Sequence, residues 1–124
     1  MNLEIPSMSL VMLVGASGAG KSSFAAKHFS PWEVLSSDHY RGVTSNDPES
    51  QEASRDAFAA LEFLADLRLA RGLLTVVDAT NLTRQARGQW VQLAKKHDML
   101  PVAIVLDVPP QVAAERNRSR PDRN

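Results

Sequence analysis

Residues 15–22, GASGAGKS, have the types and spacing needed to hold a chain of phosphates. They match the pattern GxxxxGK[ST] at every fixed position, with an apolar run before them and a helical pattern after them. The N–H groups of such a loop point inward at a helix N-terminus, where negative charge is stabilised. ATP or another nucleoside triphosphate is therefore the expected cofactor, together with Mg²⁺. The residues expected to bind the nucleotide are Gly15, Ser17, Gly18, Ala19, Gly20, Lys21, Ser22 and Ser23.

Individual members of this loop have roles that follow from their chemistry. Gly15 and Gly20 can adopt backbone conformations that are closed to other residues, and they let main-chain N–H groups approach a phosphate closely. Lys21 would reach the β- and γ-phosphates and stabilise the charge of a transition state, which makes it a catalytic candidate. The Ser22 hydroxyl is placed to ligate Mg²⁺.

Two aspartates lie just after later apolar runs. Asp38, in the segment SSDHYRG, suits a general base that takes the proton from an attacking hydroxyl, and Arg41 suits a clamp for a phosphate of the acceptor. Asp78 ends the apolar run at 73–77, where a carboxylate would hold Mg²⁺ directly or through water. The alternative for Asp78 is a cap of the turn that follows it.

Arginines are concentrated near the C-terminus, at positions 116–123. Arg116, Arg120 and Arg123 are candidates to clasp the triphosphate as a lid and to neutralise developing charge. Arg118 ranks last, because it faces away from its neighbours if the helix continues that far. The alternative for such a run of charges is a solvated surface.

Four apolar runs alternate with helical patterns, which predicts an α/β fold with a parallel sheet of about four strands and helices on both faces. In such sheets ligands bind outside the carboxyl ends of the strands, so the polar clusters at those ends converge. The segment 37–42 is expected to be a loop, and residues 44–52 a flexible connection. Strands are expected at 10–14, 34–36, 73–77 and 102–106, and helices at 21–28, 50–70, 83–97 and 111–118.

The composition of the 124 residues is that of one domain with an ordinary core, since 44% of them are hydrophobic. The absence of cysteine excludes disulfides and thiolate metal sites and fits a reducing compartment. Fourteen basic and fourteen acidic residues cancel, so no overall field draws the chain to nucleic acid or to a membrane. No apolar run approaches the roughly 20 residues of a membrane span. We therefore expect a cytoplasmic protein with no membrane partner.

Five segments together resemble the 5′-hydroxyl polynucleotide kinase domain of bacterial end-healing proteins. They are GASGAGKSSFAAKHF, VLSSDHYRG, LTVVDATN, PVAIVLDVP and ERNRSRPDR, and they extend along essentially the whole chain. SSDHYRG and VVDATN are more specific than the phosphate-binding loop (P-loop), which many unrelated NTPases share. In that family the kinase is the N-terminal module of a kinase–phosphatase–ligase protein of RNA repair.

The resemblance implies ATP-dependent phosphorylation of a 5′-OH end of RNA or DNA, with Asp38 as the general base. Arg41 would contact a phosphate of the acceptor strand. Phosphatase and ligase domains are implied in the same full-length chain. The resemblance also implies that Thr80 and Asn81 lie near the acceptor, with Arg87 as a weaker candidate for the same strand. Arg116 and Arg123 would belong to the lid that clasps the phosphates.

The chain departs from the family in two respects. It ends at Asn124, before the family's last strand and lid helices, so we expect residues 1–124 to be a P-loop kinase domain with an incomplete C-terminal lid. Pro121 falls within the arginine cluster, which argues against one continuous lid helix. A small-molecule kinase, acting on a gluconate-like alcohol or an antibiotic, and a nucleotide-binding switch are the alternatives. Arg41 and Asp38 argue against them, since a neutral small alcohol needs no phosphate clamp and a pure switch needs no base.

Overall fold

The computed structural model of the protein describes residues 4–16 and 18–106. The strands are β1 (Ser9–Val14), β2 (Val34–Ser36), β3 (Thr75–Asp78) and β4 (Leu100–Val105), and the α-helices are α1 (Lys21–His28), α2 (Ser37–Ser45), α3 (Ser54–Ala70) and α4 (Arg84–Lys96). All strand pairs are parallel, and the sheet has the order β2-β3-β1-β4. The predicted α/β class with a four-stranded parallel sheet is therefore confirmed.

The core lies on both faces of the sheet. All six residues of β1 are buried, which explains its uninterrupted apolar run, because a central parallel strand is covered on both sides. On one face, Leu61 of α3 and Trp90 of α4 belong to the same buried cluster as Met12. On the other face, Ala25 of α1 packs in a cluster with Val11.

The segment 37–42, which the sequence predicted to be a loop, is the first part of α2. The Ser36 hydroxyl caps this helix by accepting a hydrogen bond from the His39 N–H, with the nitrogen and oxygen 3.3 Å apart. The helix ends at Ser45 and is capped by Asn46, whose backbone is left-handed with φ of 61°. The pattern SDHYRGVTS concealed the helix, because glycine, serine and aspartate are typical of turns.

The other elements agree with the predicted ones apart from their ends. Residues 44 and 45 belong to α2 rather than to the expected flexible connection, and α3 begins at Ser54 rather than near position 50. The predicted helix at 111–118 lies outside the described residues. Within residues 4–16 and 18–106, no helix is both long and apolar enough to cross a membrane.

Candidate active site

The register of the sheet aligns the carboxyl ends of three neighbouring strands. Asp78 of β3 pairs with Leu13 of β1 on one side and with Ser36 of β2 on the other. The phosphate-binding loop begins two residues beyond Leu13, and Asp38 lies two residues beyond Ser36. The P-loop, Asp78 and Asp38 therefore share one edge of the sheet, as the sequence predicted.

The glycines of the phosphate-binding loop are required for two different structural reasons, a left-handed backbone and close packing. Gly18 and Gly20 have left-handed backbones with φ of 86° and 95°, a conformation that costs other residues energy. Gly15 does not have a positive φ. A Cβ at Gly15 would lie 2.9 Å from the carbonyl oxygen of Leu106 and 3.2 Å from Cβ of Ala19, so close packing requires the glycine instead.

Lys21 is the first residue of α1 and is only 1% exposed. Its Nζ donates a hydrogen bond to the carbonyl oxygen of Ala16 in the same loop, at 3.0 Å. The first turn of α1 contains no acidic residue of its own, and the N-terminus of a helix carries the positive end of its dipole. A buried cation at a helix N-terminus is an arrangement that suits a bound anion.

Ser22 and Asp78 are joined directly across the end of the sheet. The Ser22 Oγ donates a hydrogen bond to Oδ2 of Asp78 at 2.7 Å, and Asp78 is 4% exposed. Burial raises the pKa of the Asp78 carboxyl, while the bond from Ser22 and the charge of Lys21 oppose that rise. A hydroxyl and a carboxylate oxygen in contact are the hard oxygen ligands that Mg²⁺ prefers, so the predicted metal residues fit this ion.

The described part of the chain contains no group of three His, Cys, Asp or Glu side chains that could hold a metal ion. Mg²⁺ commonly uses one or two carboxylates and completes its coordination with waters and substrate phosphates.

Asp38 and Arg41 lie one turn apart at the start of α2 and form an ion pair. Their side chains are 15% and 14% exposed, respectively. The Arg41 guanidinium donates to Oδ1 of Asp38, and its Nε donates to the carbonyl oxygen of Pro48 at 2.9 Å. Oδ2 of Asp38 is buried and has no hydrogen-bond partner among the described residues. Burial also lowers the pKa of Arg41 from its usual value.

The connection between β3 and α4 contains the other acceptor-binding candidates. Thr80 is exposed, and its carbonyl oxygen accepts a hydrogen bond from the Gly15 N–H at 3.0 Å. Asn81 is buried, and both of its amide atoms are hydrogen-bonded within the protein. Arg87 donates through Nη1 to the carbonyl oxygens of Asn81 and Leu82, at 3.0 and 2.8 Å. Thr80 is thus open to an acceptor, whereas Asn81 and Arg87 stabilise the connection itself.

Sequence reasoning missed Trp90 as a member of this network. Its indole N–H donates to Oδ1 of Asn81 at 3.1 Å. The sequence contained a sign of this contact, because a tryptophan on the core face of a helix usually needs a hydrogen-bond acceptor for its N–H. In the phosphate-binding loop, Ala19 is buried and Ser23 is exposed. Four of the predicted site residues lie outside the described residues, namely Ser17, Arg116, Arg120 and Arg123, and so does Arg118, which ranked last among the arginines.

Comparisons with known proteins agree with this architecture. A family profile described as an AAA domain matches residues 10–124. No curated protein matches the chain.

Among solved structures, a chain of the Pnkp1/Rnl/Hen1 complex is 23% identical, with a TM-score of 0.74 over 94% of this chain and 41% of its own length. A chain of the Pnkp1/Rnl/Hen1 RNA repair complex is 22% identical, with a TM-score of 0.73 over 93% of this chain and 38% of its own. The APS kinase CysC of Mycobacterium tuberculosis, in complex with AMPPNP and APS, is 24% identical, with a TM-score of 0.68 over 93% of this chain and 71% of its own.

The chain thus spans less than half the length of the two Pnkp1/Rnl/Hen1 chains that it matches. At these identities the likeness to solved structures shows a shared fold and not a shared substrate. The family match, by contrast, extends over nearly the whole sequence. The chain therefore belongs to this AAA domain family and has the fold of the P-loop kinases.

Proposed function

We propose that the chain is a polynucleotide 5′-hydroxyl kinase domain that transfers the γ-phosphate of ATP, or of another nucleoside triphosphate, to a 5′-OH end of RNA or DNA. The observation that carries this proposal is the Asp38–Arg41 ion pair at the same sheet edge as the phosphate-binding loop. A P-loop alone predicts only a phosphate donor. The carboxylate and the guanidinium at the same sheet edge would supply a base for an acceptor hydroxyl and a binding group for the acceptor's own phosphate.

The donor half of the site consists of the P-loop and the residues that contact it. Lys21 would stabilise charge on the transferring phosphoryl group, since it lies buried at the N-terminus of α1. Ser22 and Asp78 would hold Mg²⁺, which when bound supplies neutralisation of phosphate charge. Arg116, Arg120 and Arg123 remain proposals for a lid over the phosphates.

The acceptor half consists of Asp38 and Arg41. Oδ2 of Asp38 would accept the proton of the 5′-hydroxyl as its oxygen attacks phosphorus. Arg41 would bind the phosphodiester that follows the 5′-terminal sugar, because a guanidinium matches two phosphate oxygens at once. Thr80 is the exposed residue on the neighbouring connection that would lie near the same strand.

A small-molecule kinase is the second candidate, and the similarity in fold to an APS kinase favours it. The paired Arg41 and Asp38 would then serve a small acceptor that carries its own anionic group. A slow nucleotide-binding switch is the third candidate, and the Asp38 carboxylate at the same sheet edge as the P-loop argues against it. Phosphatase and ligase modules in a longer chain, and a cytoplasmic location, are further proposals that rest on the same resemblance.

The acceptor is identified by transfer of labelled γ-phosphate from ATP. The acceptors to compare are a 5′-OH oligonucleotide, the same oligonucleotide with a 5′-phosphate, gluconate and APS. We expect label on the 5′-OH oligonucleotide, RNA or DNA, and none on its 5′-phosphorylated form. Transfer to gluconate or APS with none to the oligonucleotide would replace the proposal with the small-molecule candidate.

A further inference from the structure

Asn81 has a backbone conformation and a set of hydrogen bonds that no role in acceptor binding explains. It follows β3 by three residues, has φ of 51°, and is 3% exposed. Asparagine tolerates the left-handed region better than other residues with a side chain. Its amide nitrogen lies 2.8 Å from the carbonyl oxygen of Leu13, and 3.3 and 3.5 Å from those of Ala79 and Val77.

The orientation of the Asn81 amide is fixed by Trp90. The indole N–H is only a donor, and it lies 3.1 Å from Oδ1 of Asn81. The amide oxygen therefore faces Trp90, and the NH₂ group faces the carbonyl oxygens at the strand ends. Arg87 holds the same connection from its other side, through the carbonyl oxygen of Asn81.

These contacts join the connection between β3 and α4 to the entrance of the phosphate-binding loop. The Asn81 side chain bonds to the carbonyl of Leu13, and the Gly15 N–H bonds to the carbonyl of Thr80. Leu13 is also the residue that pairs with Asp78 in the sheet. One side chain thus fixes the strand end from which the P-loop departs, next to the carboxylate proposed to hold Mg²⁺.

We infer that Asn81 is a positioning residue for the nucleotide, which acts by holding the start of the phosphate-binding loop in its binding geometry. This inference rests on the nucleotide binding that the proposed function includes. It assigns Asn81 to the donor half of the site, whereas the sequence resemblance assigned it to the acceptor. Loss of its amide leaves the buried carbonyl of Leu13 without that donor and lets the loop entrance relax.

The test compares Asn81→Gly with Asn46→Gly. Both asparagines have left-handed backbones, with φ of 51° and 61°, so glycine suits either position. Asn46 is exposed at the end of α2, donates no side-chain hydrogen bond to the P-loop among the described residues, and serves as the matched control. The Kd for ATP is measured by titration calorimetry well below the melting temperature of each variant, so that lost stability alone does not change it.

We expect Asn81→Gly to raise the Kd for ATP about tenfold, the effect of one lost hydrogen bond of ordinary strength. Asn46→Gly should leave the Kd unchanged, and the KM for the acceptor should change in neither variant. An unchanged Kd for ATP in folded Asn81→Gly would overturn the inference and leave the proposed function intact. Failure of the unsubstituted chain to bind ATP would overturn the proposed function itself.

A second variant covers the case in which Asn81→Gly does not fold. Trp90→Phe retains Asn81 and removes the N–H that orients the amide, together with part of the indole ring. We expect a rise in the Kd for ATP that is smaller than tenfold, with the apolar packing of the ring largely kept. A folded Trp90→Phe protein with an unchanged Kd for ATP would then overturn the inference.

Discussion

The Arg41 guanidinium donates to Oδ1 of Asp38 and leaves Oδ2 of Asp38 buried without a hydrogen-bond partner among the described residues. A buried polar atom without a partner is uncommon in folded proteins and is often found at functional sites. The ion pair engages one oxygen of the carboxylate, and the second oxygen is the proposed acceptor for the proton of an incoming hydroxyl. The base and the clamp of the proposed acceptor half are thus coupled within one turn of α2.

Replacing Asp38 with asparagine should abolish most of the phosphoryl transfer. The amide cannot take a proton, and a general base contributes roughly 100-fold to 10,000-fold to a rate. The Kd for ATP should not change, because Asp38 belongs to the acceptor half. The readout is the single-turnover rate of labelled phosphate transfer. Asp56→Asn is the control, since Asp56 is an exposed aspartate in the first turn of α3. A retained rate in Asp38→Asn would remove Asp38 as the base.

Replacing Arg41 with alanine should raise the KM for an oligonucleotide acceptor more than the KM for ATP. Hydrogen bonds to a charged group are worth about 1.5–3 kcal/mol, which corresponds to about a tenfold to hundredfold change. Steady-state kinetics with each substrate varied in turn measures both values. Arg71→Ala is the control, because Arg71 is exposed at the end of α3. An equal rise in both KM values would count against the acceptor clamp.

Replacing Lys21 with alanine should lower the transfer rate by about 100-fold to 1,000-fold, the effect of losing one group that stabilises transition-state charge. Lys27→Ala is the matched control, since Lys27 is an exposed lysine in the last turn of the same helix. The rate at saturating ATP and acceptor separates this effect from weaker binding. Similar rates for the two variants would show that Lys21 has no catalytic role.

Replacing Asp78 with asparagine should stabilise the chain in the absence of nucleotide and Mg²⁺. Burial raises the pKa of this carboxyl above its unfolded value of 3.8, so its ionised form costs folding energy at neutral pH. The gain in unfolding free energy should be largest above the raised pKa and should disappear as the pH falls toward 3.8. Urea unfolding at several pH values measures it, and a loss of stability at pH 7 would contradict this account.

The same variant should need a higher concentration of Mg²⁺ for activity. An asparagine oxygen carries no charge, so we expect the concentration of Mg²⁺ at half-maximal rate to rise about 10-fold to 100-fold, as for other weakened metal sites. The variant should therefore be more stable than the unsubstituted chain but bind Mg²⁺ more weakly. Asp66→Asn serves as the control, because Asp66 pairs with Lys96 and His97 rather than with the P-loop.

The sequence was sufficient to predict the strands, the fold class and the sheet edge at which the polar clusters meet. The run LVMLV is apolar at every position because β1 is covered on both faces, and such a run is visible without a structure. Helix α2 could not be predicted in this way. Its formation depends on the cap from Ser36 and on packing against α3, neither of which a periodicity of apolar residues records.

The different contacts of the polar residues in the VVDATN segment could not be predicted from the sequence either. Asp78, Thr80 and Asn81 are all polar residues at one strand end; the position of Asp78 predicted a ligand of Mg²⁺, and the family resemblance assigned Thr80 and Asn81 to the acceptor. The structure shows that Asp78 bonds to Ser22, Thr80 is exposed, and Asn81 is buried between Leu13 and Trp90. Which of these polar residues faces a ligand depends on partners that are distant in the sequence. Asn81 and its partner Leu13, for example, are 68 positions apart.

We propose that the acceptor half of a 5′-hydroxyl kinase site is formed by Asp38 and Arg41, and this proposal is open to a direct test. It is tested most directly with two oligonucleotides that both have a 5′-OH end and differ only in the first internucleotide linkage, a phosphodiester in one and an uncharged methylphosphonate in the other. The unsubstituted protein should transfer the γ-phosphate of ATP to the phosphodiester oligonucleotide with a kcat/KM about tenfold or more above that for the neutral one, the effect of one charged contact. Arg41→Ala should remove this preference. Equal kcat/KM values for the two oligonucleotides with the unsubstituted protein, or no transfer to either, would contradict the account.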